Sequence, residues 1–481
     1  MPDRQPSRGR GARPPQRGRA TERPTPRRVA QEVVRDVDVD DAYANLLLPT
    51  RIREAGLDAQ DAAFATELTY GTLRWQGQLD AVIEAAAGRP MDEIDATTRS
   101  VLRVAVHQLA RMRVPAHAAV HESIELLGDH RGRRGFANAV LRKVAATPVD
   151  DQVDAIARVM SDDDALALRA GHPTWVVRAL RRALEAEGAG DELDDLLAAD
   201  NDAPRVQLVA LPGLAEPDEL SDEPTASPLG RLAPSGDPWR VPAVRDGRAR
   251  VQDAGSQLAA LALTRATPVE AGERWLDLCA GPGGKAALLA AEARVAGARL
   301  EANELVPARA GLVRQALAAV DPDVEVSVGD GRRIGERDGA FDRILLDAPC
   351  TGLGALRRRP EARWRKQPSD VPELARLQGE LLRAAMLAVR PGGIVAYVTC
   401  SPHLAETRAI VQGAIADGAE ALDTRAVLER VAPGTPLGGS GSAVQLWPHR
   451  NGTDAMFVQL LRRPESGMDG PERGSAASAP R

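Results

Sequence analysis

The period of the apolar positions changes along the chain, and each change marks a unit. From Arg27 to about Ala146, apolar residues recur at three- and four-residue spacing in RRVAQEVVRDV, AAFATELTYGTLRWQGQLDAVIEAAA, ATTRSVLRVAVHQLARM and HAAVHESIELLGDH. That is the period of helices with one buried face. Nothing there alternates like a strand, so an all-α bundle of five or more helices is predicted. Asp61 and Asp95 are the predicted caps of two of them, with Thr97 and Thr98 behind Asp95. Residues 147–200 stay polar and helical, with HPTWVVRALRRALEA as the amphipathic piece. After Pro204, short apolar runs alternate with Pro, Gly and Asp, which predicts a small α+β insert. In VQDAGSQLAALAL, Ser256 is the predicted cap of a helix carrying Leu258, Leu261 and Leu263.

From Glu273 onward strand and helix alternate. The predicted strands are Arg274–Cys279, Ala298–Asn303, Val324–Val328, Phe341–Leu346, Ile394–Thr399 and Met456–Leu461. Helices fit between most of them, for instance Pro372–Val389 before a turn at RPGG. Such alternation predicts a largely parallel sheet covered on both faces. Ligands then bind at the carboxyl ends of the strands. The expected architecture is multidomain: a helical bundle (27–147), a helical linker with a small α+β subdomain (148–250), and an α/β Rossmann-like domain (251–463).

Composition adds limits. The 481 residues are 43% hydrophobic and 27% charged, an ordinary soluble balance. No apolar run approaches the roughly 20 residues of a membrane span, and the Arg/Pro-rich start lacks the apolar core of a secretory signal. The three cysteines, Cys279, Cys350 and Cys400, suit a reducing cytoplasm rather than a disulfide framework. No Cys/His cluster has zinc spacing, so no metal is expected. The net charge of −6 does not advertise nucleic-acid binding, but residues 1–28 hold nine arginines against Asp3 and Glu22. A basic arm on an acidic body is consistent with a polyanionic partner; a solvated tail that aids solubility explains the same charges. Residues 1–26 and 464–481 are expected to be disordered.

The chemistry centres on RWLDLCAGPGGK, Arg274 to Lys285, where an apolar run ends in a glycine turn and a good helix former follows. Gly281, Gly283 and Gly284 allow a tight turn and close approach of a ligand. GPGGK is neither GxGxxG nor a P-loop, so S-adenosylmethionine gains on a dinucleotide. Glu304, at the second strand end, can accept both ribose hydroxyls of a nucleoside, and Asp330 ends the third. The fourth strand ends in LLDAPCTG and the fifth in YVTCSP. Asp347, Cys350 and Cys400 therefore share the ligand edge. Carbon 5 of cytosine needs activation before it accepts a methyl group, and a thiolate adding to carbon 6 supplies it. Asp347 can stabilise ring nitrogen 3 of that adduct, and Lys285 can favour the thiolate. Residues alone leave open which cysteine attacks.

Arg357, Arg358, Arg359, Arg363, Arg365 and Lys366, with Trp364 among them, form the predicted RNA-facing surface, since basic and aromatic residues interleaved suit phosphate contact and base stacking. Arg131, Arg133 and Arg134, with Arg142 and Lys143 further on, are a second candidate phosphate site.

LDLCAGPGGK, GDGR, LLDAPCTGLGALRRRPEARW and YVTCSP resemble the RNA 5-methylcytosine methyltransferases of the NOL1/NOP2/Sun class. TYGTLRWQGQLD and GFANAVLRKV resemble the RNA-binding NusB domain. Together the chain resembles the bacterial small-subunit ribosomal RNA methyltransferase B family (Fmu/Sun) from about Arg27 to Arg463. The resemblance implies that Cys400 is the nucleophile and that Cys350 assists product release. It also implies that Cys279, Ala280, Gly281, Pro282, Gly283, Gly284, Lys285, Glu304, Asp330 and Asp347 line an S-adenosylmethionine site. Gly281 replaces an alanine usual in the family, and Glu304 an aspartate. The expected partner is small-subunit (16S) ribosomal RNA, met by a cytoplasmic monomer without metal or membrane. The alternatives are a transfer RNA methyltransferase, a non-catalytic RNA-binding or antitermination-type factor with a vestigial methyltransferase domain, and a small-molecule methyltransferase.

Overall fold

The computed structural model describes residues 24–465. The expected terminal arm and tail therefore lie almost wholly outside the described residues, and Pro26 already opens the first helix.

The front unit holds α1 (Pro26–Val39), α2 (Ala44–Ala55), α3 (Ala59–Arg74), α4 (Gln76–Ala87), α5 (Ala96–Arg111), α6 (Ala116–Glu125) and α7 (Arg131–Val144), with no strand among its described residues. Two apolar clusters hold it together. Val29, Val33, Leu48, Leu68 and Leu73 fill one, and Leu79, Ile83, Leu102, Val106, Val140 and Leu141 fill the other. Asp95 caps α5 by accepting from the Thr98 backbone N–H at 3.1 Å. Asp61 does not cap α3: Asp58 does, accepting from the Asp61 N–H at 2.9 Å. The cap belongs to the residue whose backbone is still extended, and that is Asp58.

Four helices follow, α8 (Val149–Ala157), α9 (Asp162–Ala170), α10 (Thr174–Glu185) and α11 (Leu193–Ala199). The apolar face of α10 (Val176, Val177, Leu180, Leu184) packs with Leu353, Leu356 and Trp447 of the catalytic domain. The small insert is a three-stranded antiparallel sheet in the order β2–β1–β3, from β1 (Gln207–Ala210), β2 (Gly230–Leu232) and β3 (Ala249–Val251), with the short helix α12 (Pro242–Arg245). Helix α13 (Ala254–Thr264) is capped by Asp253, not Ser256; the Asp253 carboxylate accepts from the N–H groups of Gly255 and Ser256.

The last domain contains β4 (Arg274–Leu278), α14 (Gly284–Ala296), β5 (Arg299–Glu304), α15 (Pro307–Leu317), β6 (Glu325–Val328) and β7 (Phe341–Asp347). It continues through the one-turn α16 (Ala362–Arg365), α17 (Asp370–Ala388), β8 (Val389–Thr399), α18 (Arg408–Ala416), β9 (Glu420–Ala421), α19 (Thr424–Val431), β10 (Val444–Gln445) and β11 (Phe457–Arg462). The sheet order is β10–β11–β8–β7–β4–β5–β6, with β9 beside β11. Strands β8, β7, β4, β5 and β6 are parallel, and β11 closes antiparallel on β8 with Phe457 opposite Thr399. Adjacent residues of β4 serve opposite faces: Trp275 joins the layer of α13 and α14, and Leu276 joins that of α17. RPGG is not a turn before the strand. The strand runs through it, with a register irregularity opposite Phe341–Arg343 and Gly392 at a φ of +74°, the features of a bulge.

Candidate active site at the carboxyl edge of the sheet

Five parallel strands end along one edge, and each delivers a residue that the sequence singled out. Beyond β4 the chain turns sharply. Cys279 takes a φ of +75°, rare for a residue with a Cβ, and Gly281 and Gly283 take +48° and +91°. At Gly283 the need for glycine is also steric: a Cβ would stand 2.6 Å from the Ala316 Cβ on α15. Glu304, the last residue of β5, closes this turn. One carboxylate oxygen accepts from the Gly281 N–H at 3.0 Å and the other from the Val306 N–H at 2.9 Å. Asp330, just past β6, is held by Arg332 at 2.6 Å. That hydrogen bond keeps its carboxyl below the usual range.

Asp347 ends β7 and pairs with Lys285 of α14, Oδ2 to Nζ, at 2.8 Å. Burial alone would lower the Lys285 pKa, but Asp347 outweighs it and the ammonium is stabilised. Beneath them lies a residue that the sequence reading passed over. Asp277 of β4 is fully buried, and neither carboxyl oxygen has a hydrogen-bond partner among the described residues. Burial, with Asp347 nearby, pushes its pKa up to about 8. An orphaned acid, a glycine turn with open space over Gly284, and the carboxylate of Glu304 are groups that could hold a ligand with a cationic centre and sugar hydroxyls. S-adenosylmethionine has both.

The two cysteines meet. Cys350, three residues past β7, and Cys400, one past β8, have sulfurs 3.5 Å apart, and both are half-buried. Either sulfur can donate in this contact. The bond to Cys350 holds the Cys400 thiol below the ordinary range against the effect of burial, and Lys285 acts in the same sense. The same bond, burial and the charges of Cys400 and Glu406 hold Cys350 well above that range. The two thiols are thus unlike, with ionisation favoured at Cys400 over Cys350. The carbonyl of Cys400 is fixed by the Gly354 N–H at 2.9 Å, where no Cβ fits because the Ala455 carbonyl oxygen would lie 2.1 Å away.

The predicted RNA-facing loop needs correction. Arg363 is fully buried, and its guanidinium donates to the carbonyls of Arg74 (3.3 Å), Gly171 (2.8 Å) and Asp200 (3.2 Å) and to the Asn201 side chain (2.9 Å). Those carbonyls lie at the ends of α3, α9 and α11. Three helix C-termini, each carrying partial negative charge, converge on one cation. Trp364 donates its indole N–H to the Leu73 carbonyl at 2.8 Å, and Arg365 donates to the carbonyls of Val37 and Ala42. These three residues are a wedge between catalytic domain and front bundle. Arg357 is also buried, on the Gly452 carbonyl at 2.7 Å, and Arg358 pairs with the buried Asp454. Arg359 is exposed and Lys366 half-buried. In the front bundle Arg131 is exposed at the start of α7, Arg133 faces Asp95 at 3.3 Å and Arg134 pairs with Glu125 at 2.5 Å.

Comparison with known proteins agrees with this arrangement. The sequence profile of the family described as 16S rRNA methyltransferase RsmB/F matches residues 265–462, and that of the NusB family matches residues 24–146. A Mycobacterium tuberculosis protein that carries a methyltransferase name is 50% identical over 91% of this chain and 96% of its own length. The ribosomal RNA small subunit methyltransferase B of Vibrio cholerae is 32% identical over 84% of this chain and 90% of its own. The crystal structure of PH0851 shares the fold, with a TM-score of 0.76 over 91% of this chain and 98% of that one at 22% identity. Such proteins are S-adenosylmethionine-dependent methyltransferases. No helix among the described residues is long and apolar enough to cross a membrane. With both profiles matched and a relative of this identity and coverage, the chain belongs to the 16S rRNA methyltransferase RsmB/F family.

Proposed function

We propose that the protein methylates carbon 5 of a cytosine in small-subunit ribosomal RNA, in the cytoplasm, through a covalent bond from Cys400. The observation that carries this reading is the 3.5 Å contact between the Cys350 and Cys400 sulfurs beside the Lys285–Asp347 pair. Methyl transfer to a heteroatom needs no such pair of thiols. Carbon 5 of cytosine does need one nucleophile, and then a means of expelling it.

Residues Cys279 to Lys285, with Glu304, Asp330 and Asp347, would hold S-adenosylmethionine, and Asp277 would supply an acid beneath it. When bound, that group supplies an electrophilic methyl at a sulfonium centre. The chain's own residues do the rest. The Cys400 thiolate adds to carbon 6 and forms the C–S bond, and the ring's π electrons move onto carbon 5. Ring nitrogen 3 takes a proton as the charge reaches it, relayed from the Lys285 ammonium through the Asp347 carboxylate, and gives it back on elimination. After methylation the carbon 5 proton passes to water, the C–H electron pair restores the ring double bond, and the C–S bond breaks toward sulfur, releasing the Cys400 thiolate. Cys350 makes that sulfur a better leaving group by donating to it. The base must be single-stranded or flipped from its stack to reach this edge. Arg131 on α7, Arg359 and Lys366 are among the basic residues that phosphates would meet.

The test is transfer of label from S-adenosylmethionine to naked small-subunit ribosomal RNA and to bulk transfer RNA, with digestion to nucleosides. Label in 5-methylcytidine from the ribosomal RNA is the expected result. Label only in transfer RNA would overturn the substrate, and label in any other nucleoside would overturn the chemistry.

A further inference from the structure

Glu406 lies six positions past Cys400 and is fully buried. No cation pairs with it among the described residues. Four neutral donors converge on its carboxylate instead. One oxygen accepts from the Thr351 backbone N–H at 2.8 Å and from the Gln378 side-chain amide at 3.1 Å. The other accepts from the Ser401 hydroxyl at 2.6 Å and the Thr351 hydroxyl at 2.5 Å. Thr351 follows Cys350, and Ser401 follows Cys400. The same Gln378 amide also donates to the carbonyl of Pro349, the residue before Cys350, at 2.8 Å. Glu406 is itself held by the Tyr397 hydroxyl, which donates to its backbone carbonyl at 2.7 Å. Ladder pairing between β7 and β8 ends at Asp347 and Val398. Beyond that point the Ala348 N–H still donates to the Val398 carbonyl and the Gly354 N–H to the Cys400 carbonyl, both at 2.9 Å, and the Thr351 and Ser401 hydroxyls lie 3.0 Å apart; this carboxylate adds four bonds that tie one strand tip to the other.

We propose that Glu406 is a positioning residue that fastens the Cys350 loop to the Cys400 loop, so that the Cys350 thiol stays within hydrogen-bonding reach of the Cys400 sulfur. The proposal deepens the reading of these cysteines as the reacting pair and rests on it. A carboxylate suits the task because its two oxygens accept from a fixed backbone N–H and from two hydroxyls at once. Its charge adds a second effect. Glu406 lies on the Cys350 side and discourages ionisation there, whereas Lys285 favours ionisation of Cys400. Both effects act in the direction of a proton on Cys350.

The full-length protein, without RNA, serves for the test. Alkylation of Cys400 by iodoacetamide is followed against pH by peptide mass spectrometry. In parallel, diamide oxidises the two thiols to a Cys350–Cys400 disulfide as its N=N bond takes up both hydrogens. In Glu406→Ala the alkylation midpoint is expected to rise by about one to two pH units, the effect of losing a hydrogen bond to a charged sulfur. Disulfide formation should slow about tenfold or more as the sulfurs separate. Glu406→Gln keeps an acceptor for the Thr351 N–H and an amide that the hydroxyls can turn to meet, so it should recover most of the disulfide rate. With RNA supplied, Glu406→Ala should lose kcat about 10- to 100-fold while the KM for RNA stays put. A wild-type alkylation profile and disulfide rate in a folded Glu406→Ala protein overturn the proposal. If that variant does not fold, Thr351→Val, which deletes one donor at constant volume, takes its place; a shift of about half a pH unit supports the clamp, and an unchanged profile overturns it. These thiol measurements involve no turnover, so they stand even if the covalent reading fails. That reading fails separately if Cys400→Ala still methylates RNA.

Discussion

The indole of Trp364 lies over Gly77, and a Cβ added to Gly77 would come 2.3 Å from the ring. Gly77 is in the first turn of α4 and Trp364 in α16, a short way past the catalytic Cys350 loop. The front bundle is therefore fitted to the catalytic domain at the level of a single hydrogen atom. Gly77→Ala should push the two apart. We expect a lower Tm, and loss of turnover disproportionate to the loss of helix content by circular dichroism.

Arg363→Met tests the same joint from the other side. Removing the guanidinium leaves the carbonyls of Arg74, Gly171 and Asp200 without that donor. Breaking a buried charged contact costs about 3–5 kcal/mol. Urea unfolding should show that loss, or a split into two transitions as the front bundle detaches. RNA affinity measured on the folded fraction should fall less than tenfold, because Arg363 does not face solvent.

Cys400→Ala should abolish methyl transfer, whereas Cys350→Ala should accumulate a protein–RNA adduct. Denaturing electrophoresis with end-labelled RNA and unlabelled S-adenosylmethionine reads both. Equal trapping by the two variants, or by neither in a protein that still binds RNA, would sink the assignment of roles.

Asp277 gives a prediction in pH. Its carboxyl is raised to about 8 in the folded chain from roughly 4 when unfolded. The neutral acid is what the fold accommodates, so its contribution is intact below about pH 4 and is lost as pH rises toward 8. Relative to Asp277→Asn, the wild-type protein without cofactor should lose stability across that window, by an amount on the order of a few kcal/mol. Urea midpoints at pH 5 and 8 for both proteins check the sign. A difference between them that does not change with pH would remove Asp277 as a titrating group.

Most of the architecture was legible because the period of apolar residues is a local property. All six predicted strands fall within a residue or two of their observed limits, except the fifth, where the strand begins at Val389 and absorbs RPGG as a bulge. Pro and Gly signal a break in the ladder, but not whether the chain turns away or only kinks. The strand-end residues Glu304, Asp347, Cys350 and Cys400 could be placed because a parallel sheet sends every strand end to one edge. Glu406 could not: HLAETR reads as a solvated loop, and only tertiary packing removes its water. The basic loop was misplaced in part, at Arg357, Arg363, Trp364 and Arg365, for a related reason. Arginines beside a tryptophan suit a phosphate backbone, and they equally suit the negative ends of helices. Only the position of the front bundle decides between them, and that is not written in the loop.

One consequence follows from the path of the chain between Cys350 and Arg365. A single uninterrupted stretch carries the Cys350 thiol at one end and the plug of the front bundle at the other. The two halves of the molecule are thus not interchangeable parts. Recombination that exchanged the helical half for that of a distant relative would have to carry matching changes at Gly77, Arg74 and Gly171, or leave an unneutralised arginine in a dry seam beside the reaction centre. Fusion, splitting and domain exchange are constrained here by one helical turn.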